Sequence, residues 1–195
     1  MMLPAHLLSG MVCIHLGQMS IKRKNGILRW SNNLPEWTWL SIGLGYAFIS
    51  HAVIDTLAIF TYHDCSPSGS FFSRSVFWGW MLGAIIILAW GLRVDIHYGY
   101  GMLVSTSYDL WDHYLLRFVD GVLDGFPEGF MGRYTHRFKS LQLHQLEWLI
   151  LDNLFSGVDR HYGDPRFLVV ELMFVAILIL SLSYLRRSRP LMSKK

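Results

Sequence analysis

Apolar residues cluster along the chain into five stretches, which are separated by polar segments rich in turn-forming residues. The sequence predicts helices in these stretches, at about 3–19, 36–60, 76–93, 99–119 and 167–186. The segment 76–92 has no charged residue, and the segment 167–185 has a single one, Glu171. Each comes close to the ~20 residues that a helix needs to cross the ~30 Å hydrocarbon layer of a bilayer. We therefore predict that these two segments span a membrane.

The other three apolar stretches contain polar side chains. Helix 36–60 carries His51 and Asp55, and helix 99–119 carries acidic, histidine and arginine residues in its second half. The stretch 3–19 is short, and the sequence leaves open whether it crosses the bilayer obliquely or lies in the interface. Ionisable groups at such depths normally face a bundle interior or a water-filled cavity. We therefore expect the functional residues to lie on these three helices.

Composition supports a membrane protein. Hydrophobic residues make up 52% of the chain and charged residues 16%, against about 25% charged residues in an average soluble domain. Residues 120–164 form the largest predicted extramembrane segment, with an amphipathic helix around 141–155 because its leucines recur at helical spacing. The predicted fold is an all-α, polytopic helical bundle of four or five helices, with residues 1–195 forming one membrane domain.

The charge distribution predicts an orientation and a partner. The net charge is +3, and the excess of lysine and arginine lies at 22–29 and 186–195, beside apolar stretches. Positively charged loops stay in the cytoplasm, which places the C-terminus there. Neither cluster has the interleaved aromatic residues of a nucleic-acid surface, so the expected partner is the lipid bilayer and not a nucleic acid. The two cysteines are too few for a disulfide framework or a cysteine-based zinc site.

Histidine and aspartate occur at helical spacing in two of the predicted helices. His51 and Asp55 are four residues apart, and Asp109, Asp112 and His113 stand at i, i+3 and i+4, so each set shares one helix face. Imidazole nitrogen and carboxylate oxygen are ligands for zinc, manganese or iron. Facing helices with such stripes build the metal sites of helical bundles. An internal network of ion pairs, with Arg93 or Arg117 as partners, is the alternative.

Four short motifs resemble a family of small bacterial membrane proteins described as metal-dependent hydrolases. The segment Ser50 to Asp55 is similar to their Ser-His-x-x-x-Asp helix, and the segment 101–113 to a later helix of Gly…Pro-Asp-x-x-Asp-His character. The segment His6 to Gly10 matches their N-terminal His-x-x-x-Gly, and His144 is the nearest match to a later histidine. Tyr62-His63-Asp64 stands where those proteins often have a Pro-His-x-Asp turn, and Tyr108 replaces their proline. The resemblance covers roughly residues 5–147.

This resemblance implies a helical membrane hydrolase directed at an ester or phosphoester, including those of lipids, in the bacterial inner membrane. In the hypothesis that follows, the metal ligands are His51, Asp55, Asp109 and Asp112. His113 or His63 would be a further ligand or the general base. An ion held this way lowers the pKa of a bound water toward ~7.

Two other functions remain open from the sequence. One is a non-catalytic accessory integral subunit of a respiratory or photosynthetic membrane complex, in which a buried histidine would ligate a tetrapyrrole. The other is proton or ion transport through the aspartate and histidine residues. Serine-nucleophile, P-loop, dinucleotide-binding and His-Glu-x-x-His signatures are absent from the sequence.

Overall fold

The computed structural model describes residues 3–27, 35–57, 70–111 and 166–188. The predicted extramembrane segment 120–164 with its amphipathic helix lies outside these residues. The same is true of seven residues singled out above: Tyr62, His63, Asp64, Asp112, His113, Arg117 and His144.

The described residues form six helices and no strand, which confirms the predicted all-α fold. The helices are α1 (Leu3–Ile27), α2 (Glu36–Leu57), α3 (Phe71–Val94), α4 (Ile96–Ser105), α5 (Ser107–Asp109) and α6 (Phe167–Ser188). The chain forms two compact units. The first unit comprises Met1–Thr106 and Arg160–Lys195, and the second comprises Ser107–Asp159. Helix α5 therefore belongs to the second unit, and all the other helices belong to the first.

Three of these helices are long and apolar enough to cross a membrane, within the part of the chain that the structure describes. The spans are Glu36–Asp55, Phe71–Val94 and Leu168–Ser188. Large apolar side chains point outward from α3 and α6, among them Leu82, Ile86 and Leu180. Such faces are stable against lipid tails and unstable against water. The predicted membrane embedding is confirmed.

Helix α1 is the centre of the first unit. It packs against α2, α3, α4 and α6, and its buried Leu8, Met11 and Ile14 belong to the main hydrophobic cluster. It also buries four polar side chains in the same interior, namely His6, Ser9, His15 and Gln18. The helix continues to Ile27, past its predicted end at residue 19. Isoleucine, lysine and arginine are compatible with a helix and allow this extension.

Contacts between the helices fix their directions. His6 contacts Asp55, and Gly17 lies against Gly43, so α1 and α2 are antiparallel. Arg186 lies over the ring of Trp90, at 4.9 Å from its centroid, so α3 and α6 end on the same side. We call this side the Arg186 end. The opposite side, where His6 and Asp55 meet, is called the His6 end.

The helix predicted over 99–119 is interrupted at Thr106. Asp95 caps α4 by accepting a hydrogen bond from the backbone N–H of His97, so α4 begins at Ile96. At the other end, the hydroxyls of Ser105 and Thr106 both donate to the carbonyl of Met102. Serine and threonine side chains that bond to nearby carbonyls compete with the regular helix. The single helix predicted there is therefore two helices as far as Asp109, and residues 112–119 lie outside the described residues.

Candidate metal centre

Two histidines and an aspartate meet at the His6 end. The Nε2 atom of His6 lies 3.0 Å from Asp55 Oδ1, and the Nε2 atom of His51 lies 3.1 Å from Asp55 Oδ2. His51 and Asp55 are one turn apart on α2, as predicted, and the antiparallel packing of α1 brings His6 opposite them. One carboxylate therefore contacts both imidazoles.

The two imidazoles are packed together and shielded from solvent. Their rings are stacked, with centroids 4.2 Å apart and planes inclined by 20°, and a nitrogen of each ring lies within 4.8 Å of the other. Both histidines are buried, whereas the Asp55 side chain is 15% exposed. The centre is thus closed on the histidine side and reaches the protein surface at Asp55.

The tautomer of His51 follows from its neighbours. Its Nδ1 atom lies 2.7 Å from the backbone carbonyl oxygen of Ser105, and a carbonyl only accepts hydrogen bonds. Nδ1 therefore carries the ring proton. In the neutral ring Nε2 then has a lone pair, which would face a carboxylate oxygen at 3.1 Å. Two acceptors this close require a proton between them, on the ring or on the carboxyl group, or a metal ion.

The geometry suits a metal ion well. Metal-binding histidines usually donate their second ring N–H to a carbonyl or carboxylate, as His51 does toward Ser105. Ligand atoms at about 2.1 Å from one zinc ion are roughly 3.0–3.4 Å apart, and the two nitrogen–oxygen distances fall in this range. The same distances fit hydrogen bonds from protonated imidazoles, which is the ion-pair alternative that the sequence left open.

Hydroxyl groups hold the backbone of His6 in place. Its carbonyl oxygen accepts hydrogen bonds from Ser105 Oγ at 2.6 Å and from Ser9 Oγ at 2.9 Å. Ser9 Oγ also lies 3.1 Å from Ser50 Oγ on α2. The Nδ1 atom of His6 is buried and has no hydrogen-bond partner among the described residues. These contacts tie α1, α2 and α4 together around the centre.

The structure brings together two of the residues predicted as ligands and places His6 beside them. His51 and Asp55 converge, and His6 joins them, although His6 was noted only as part of a motif. The signal for His6 was a polar residue inside an apolar stretch, four residues before a glycine. Asp109 lies in α5 of the second unit. For Asp109, Asp112, His113 and His63, the roles proposed from the sequence stay predictions.

A second histidine and carboxylate cluster lies at the Arg186 end. His97 Nδ1 lies 2.6 Å from Asp95 Oδ1, and His97 Nε2 lies 2.8 Å from Glu36 Oε1. Trp39 packs against the ring of His97, with centroids 5.1 Å apart. Both nitrogens of His97 contact carboxylates, so this cluster ties the start of α2 to the start of α4. Substitutions in this cluster can therefore serve as controls for substitutions at the His6 end.

Comparison with known proteins finds no matching family model, no matching curated protein and no matching solved structure. The chemistry of the centre is therefore inferred from its own geometry.

Proposed function

We propose that this protein is a membrane-embedded, metal-dependent hydrolase-like protein whose divalent ion is held by His6, His51 and Asp55. The observation that carries the proposal is the environment of His51. Ser105 fixes its Nδ1 proton, and its Nε2 faces a carboxylate that also contacts His6. Zinc, manganese and iron all accept this donor set.

A metal ion with three protein ligands is more typical of a catalytic site than of a structural site. Catalytic zinc sites typically have three protein ligands and leave one position for water, whereas structural sites have four. When bound, such an ion lowers the pKa of a bound water to ~7 and polarises an ester or phosphoester. The protein's own contribution is to orient His51 through Ser105 and to hold His6 through Ser9 and Ser105. Partial exposure of Asp55 provides access for water and substrate.

The position of the centre favours a lipid substrate. Asp55 is the last residue of the span Glu36–Asp55, so the centre lies where a membrane-crossing segment ends. Ester and phosphoester groups of lipids lie at the boundary between hydrocarbon and water. A substrate in the bilayer can thus present its polar bond at the level of Asp55 without leaving the membrane.

The arrangement of basic residues supports an orientation. Residues 22–24 lie near the end of α1, and Arg186 and Arg187 near the end of α6, so both basic clusters belong to the Arg186 end. Positive-inside reasoning places this end in the cytoplasm, with the C-terminus. We propose a location in the bacterial inner membrane with the metal centre at the opposite face.

Metal analysis of the detergent-purified protein tests the proposal. We expect about one equivalent of zinc, manganese or iron in the wild type and a large loss in His51→Asn and Asp55→Asn. The matched control is Asp95→Asn, because Asp95 also contacts a histidine and asparagine still caps a helix. This control should retain its metal. Equal metal in all four proteins, or none in the wild type, would refute the proposed centre.

A second candidate is a non-catalytic accessory subunit of a larger membrane complex. It is favoured by the exposed tryptophans on the spanning helices, Trp37, Trp78 and Trp90, which suit contacts with neighbouring subunits as well as with the membrane interface. In that case the contacts of Asp55 would be an internal ion-pair network. Migration far above the monomer on a native gel, with no bound metal, would favour this candidate, and a visible absorption band would indicate a tetrapyrrole.

A further inference from the structure

Helices α3 and α6 line a groove on the outside of the first unit. Both helices pack against α1, but they are not packed closely against each other. At the Arg186 end, the side chain of Arg186 reaches across to Trp90, with 4.9 Å between the guanidinium carbon and the centroid of the ring. This contact holds the guanidinium group between the two helices at one end of the groove.

The walls of the groove are apolar and open to the outside. Seven residues return a helix to nearly the same face, so Gly83 lies in line with Trp90 on α3. In the same way Ile179 lies in line with Arg186 on α6, and its side chain is 46% exposed. A Cβ atom added at Gly83 would meet only Pro4 of α1 among the described residues, at 3.8 Å. We call this surface the α3–α6 groove, with α1 as its floor.

Three arginines lie at the Arg186 end of the groove. Arg186 and Arg187 are in the last turn of α6, and Arg93 is in the last turn of α3. Arg93 follows Trp90 by three residues, so the two side chains are neighbours on the helix surface. None of the three arginines forms an ion pair or a side-chain hydrogen bond with the described residues. Three positive charges are therefore left without a carboxylate partner in this part of the chain.

The carboxylates at the same end have a different partner. Asp95 Oδ1 lies 2.6 Å from one nitrogen of His97, and Glu36 Oε1 lies 2.8 Å from the other. Asp95 also caps α4. The described residues therefore do not supply the negative charge that would balance the arginines.

A molecule with a negatively charged head and a hydrocarbon tail would match both parts of this surface. Arg93 and Gly83 are ten residues apart, which corresponds to ~15 Å along the helix. This is half of the ~30 Å hydrocarbon layer, and so about the length of one acyl chain in one leaflet. Guanidinium groups bind phosphate through paired N–H donors. Basic pockets between membrane helices bind acidic lipid headgroups in this way.

We propose that the α3–α6 groove binds one anionic phospholipid. Its phosphate contacts Arg93, Arg186 and Arg187, and one of its acyl chains lies along Gly83 and Ile179. Binding is non-covalent, and a zwitterionic phospholipid binds more weakly because it has no net negative charge. The site uses none of the residues of the metal centre, so it does not depend on the proposed function.

Native mass spectrometry of the detergent-purified protein, titrated with dioleoylphosphatidylglycerol, tests the proposal. We expect one bound lipid per protein, and roughly fivefold weaker binding in Arg93→Gln and in Arg186→Gln, since each variant removes one positive charge. The matched control is Arg74→Gln, because Arg74 is an exposed arginine in the first turn of the same helix, α3. This control should bind the lipid as the wild type does. Equal affinity in all four proteins, or no bound lipid in the wild type, would refute the site.

The groove itself is tested by filling it. Gly83→Leu places a side chain where the acyl chain would lie and should weaken lipid binding. Gly45→Leu is the control, because a Cβ atom at Gly45 on α2 meets nothing within 4 Å, and it should bind normally. Normal binding by Gly83→Leu would place the lipid outside the groove and overturn the proposal. Thermal midpoints verify the fold of both variants, and if Gly83→Leu does not fold, the arginine variants decide.

Two competitors identify the ligand. Dioleoylphosphatidylcholine should bind at least fivefold more weakly than dioleoylphosphatidylglycerol, and equal binding would contradict the role of charge. Inorganic phosphate in large excess should not displace the bound lipid, because it has no acyl chain to fill the groove. Displacement by phosphate would identify the arginines as a site for free phosphate and would refute the lipid.

Discussion

One free carbonyl determines the tautomer of His51. Ser105 is the last residue of α4, and the last four carbonyls of a helix have no partner within that helix. Its oxygen can therefore accept a hydrogen bond from the Nδ1–H of His51, while its hydroxyl donates to the carbonyl of His6. The early end of α4 thus contributes to the site. Had the helix continued through residue 109, this carbonyl would have accepted a backbone hydrogen bond.

Close helix crossings place α1 at the centre of the bundle. A methyl group added at Gly10 would lie 2.3 Å from the carbonyl oxygen of Gly101, and one added at Gly17 would lie 2.4 Å from the backbone nitrogen of Gly43. Glycine at both positions lets the backbones of α1 and its neighbours approach directly, as small residues do in membrane proteins. The same approach brings His6 within reach of Asp55.

Alanine substitution tests the first of these crossings. Gly10→Ala must push α1 away from α4, and we expect it to destabilise the protein by about 3 kcal/mol and to weaken metal binding. Gly45→Ala on α2 is the matched control, because its added methyl group would meet nothing within 4 Å. In a helix interior this control should be neutral or stabilising by about 0.5 kcal/mol. The measurement is the thermal midpoint in detergent, and equal midpoints would contradict the crossing.

Periodicity and apolar length were enough to predict three helices with few errors, and not enough to predict how they pack. The apolar stretches of α2, α3 and α6 are visible because lipid-facing and core-facing positions are both hydrophobic. The end of α4 was missed because the hydroxyls that interrupt it bond locally. His51 and Asp55 were predicted from helical spacing. The addition of His6 depends on a contact between residues 49 positions apart in the sequence, which no local pattern encodes.

Among the described residues, the interior of the first unit contains polar as well as apolar side chains, and its exterior is apolar. Its central helix buries histidine, serine and glutamine, whereas α3 and α6 expose leucine and isoleucine outward. This distribution suits a bilayer, where the solvent is apolar and polar groups find their partners inside the protein. Composition predicted a membrane environment, but the central position of α1 follows only from its packing.

The directions of the helices predict which chain positions share a side of the membrane. In a background lacking both native cysteines, Lys24→Cys and Ser188→Cys should lie at the cytoplasmic face and Ser70→Cys at the other face. A membrane-impermeant maleimide applied to intact cells should label only Ser70→Cys, and permeabilised cells should label all three. Labelling of Lys24→Cys and Ser188→Cys, but not Ser70→Cys, in intact cells would show the opposite orientation. Labelling of Lys24→Cys and Ser188→Cys from different sides would contradict the bundle itself.

The central position of α1 has a consequence for biogenesis. Helix α1 leaves the ribosome before α2, α4 and α6, the helices that enclose its polar side chains. Release of α1 alone from the translocon into lipid is therefore unfavourable, because the neighbours of its four buried polar residues have not yet been synthesised. Nascent α1 is therefore expected to stay beside the insertion machinery until those neighbouring helices are synthesised. The histidine and aspartate cluster can therefore form only after α2 has been synthesised, and its hydrogen bond to Ser105 only after α4.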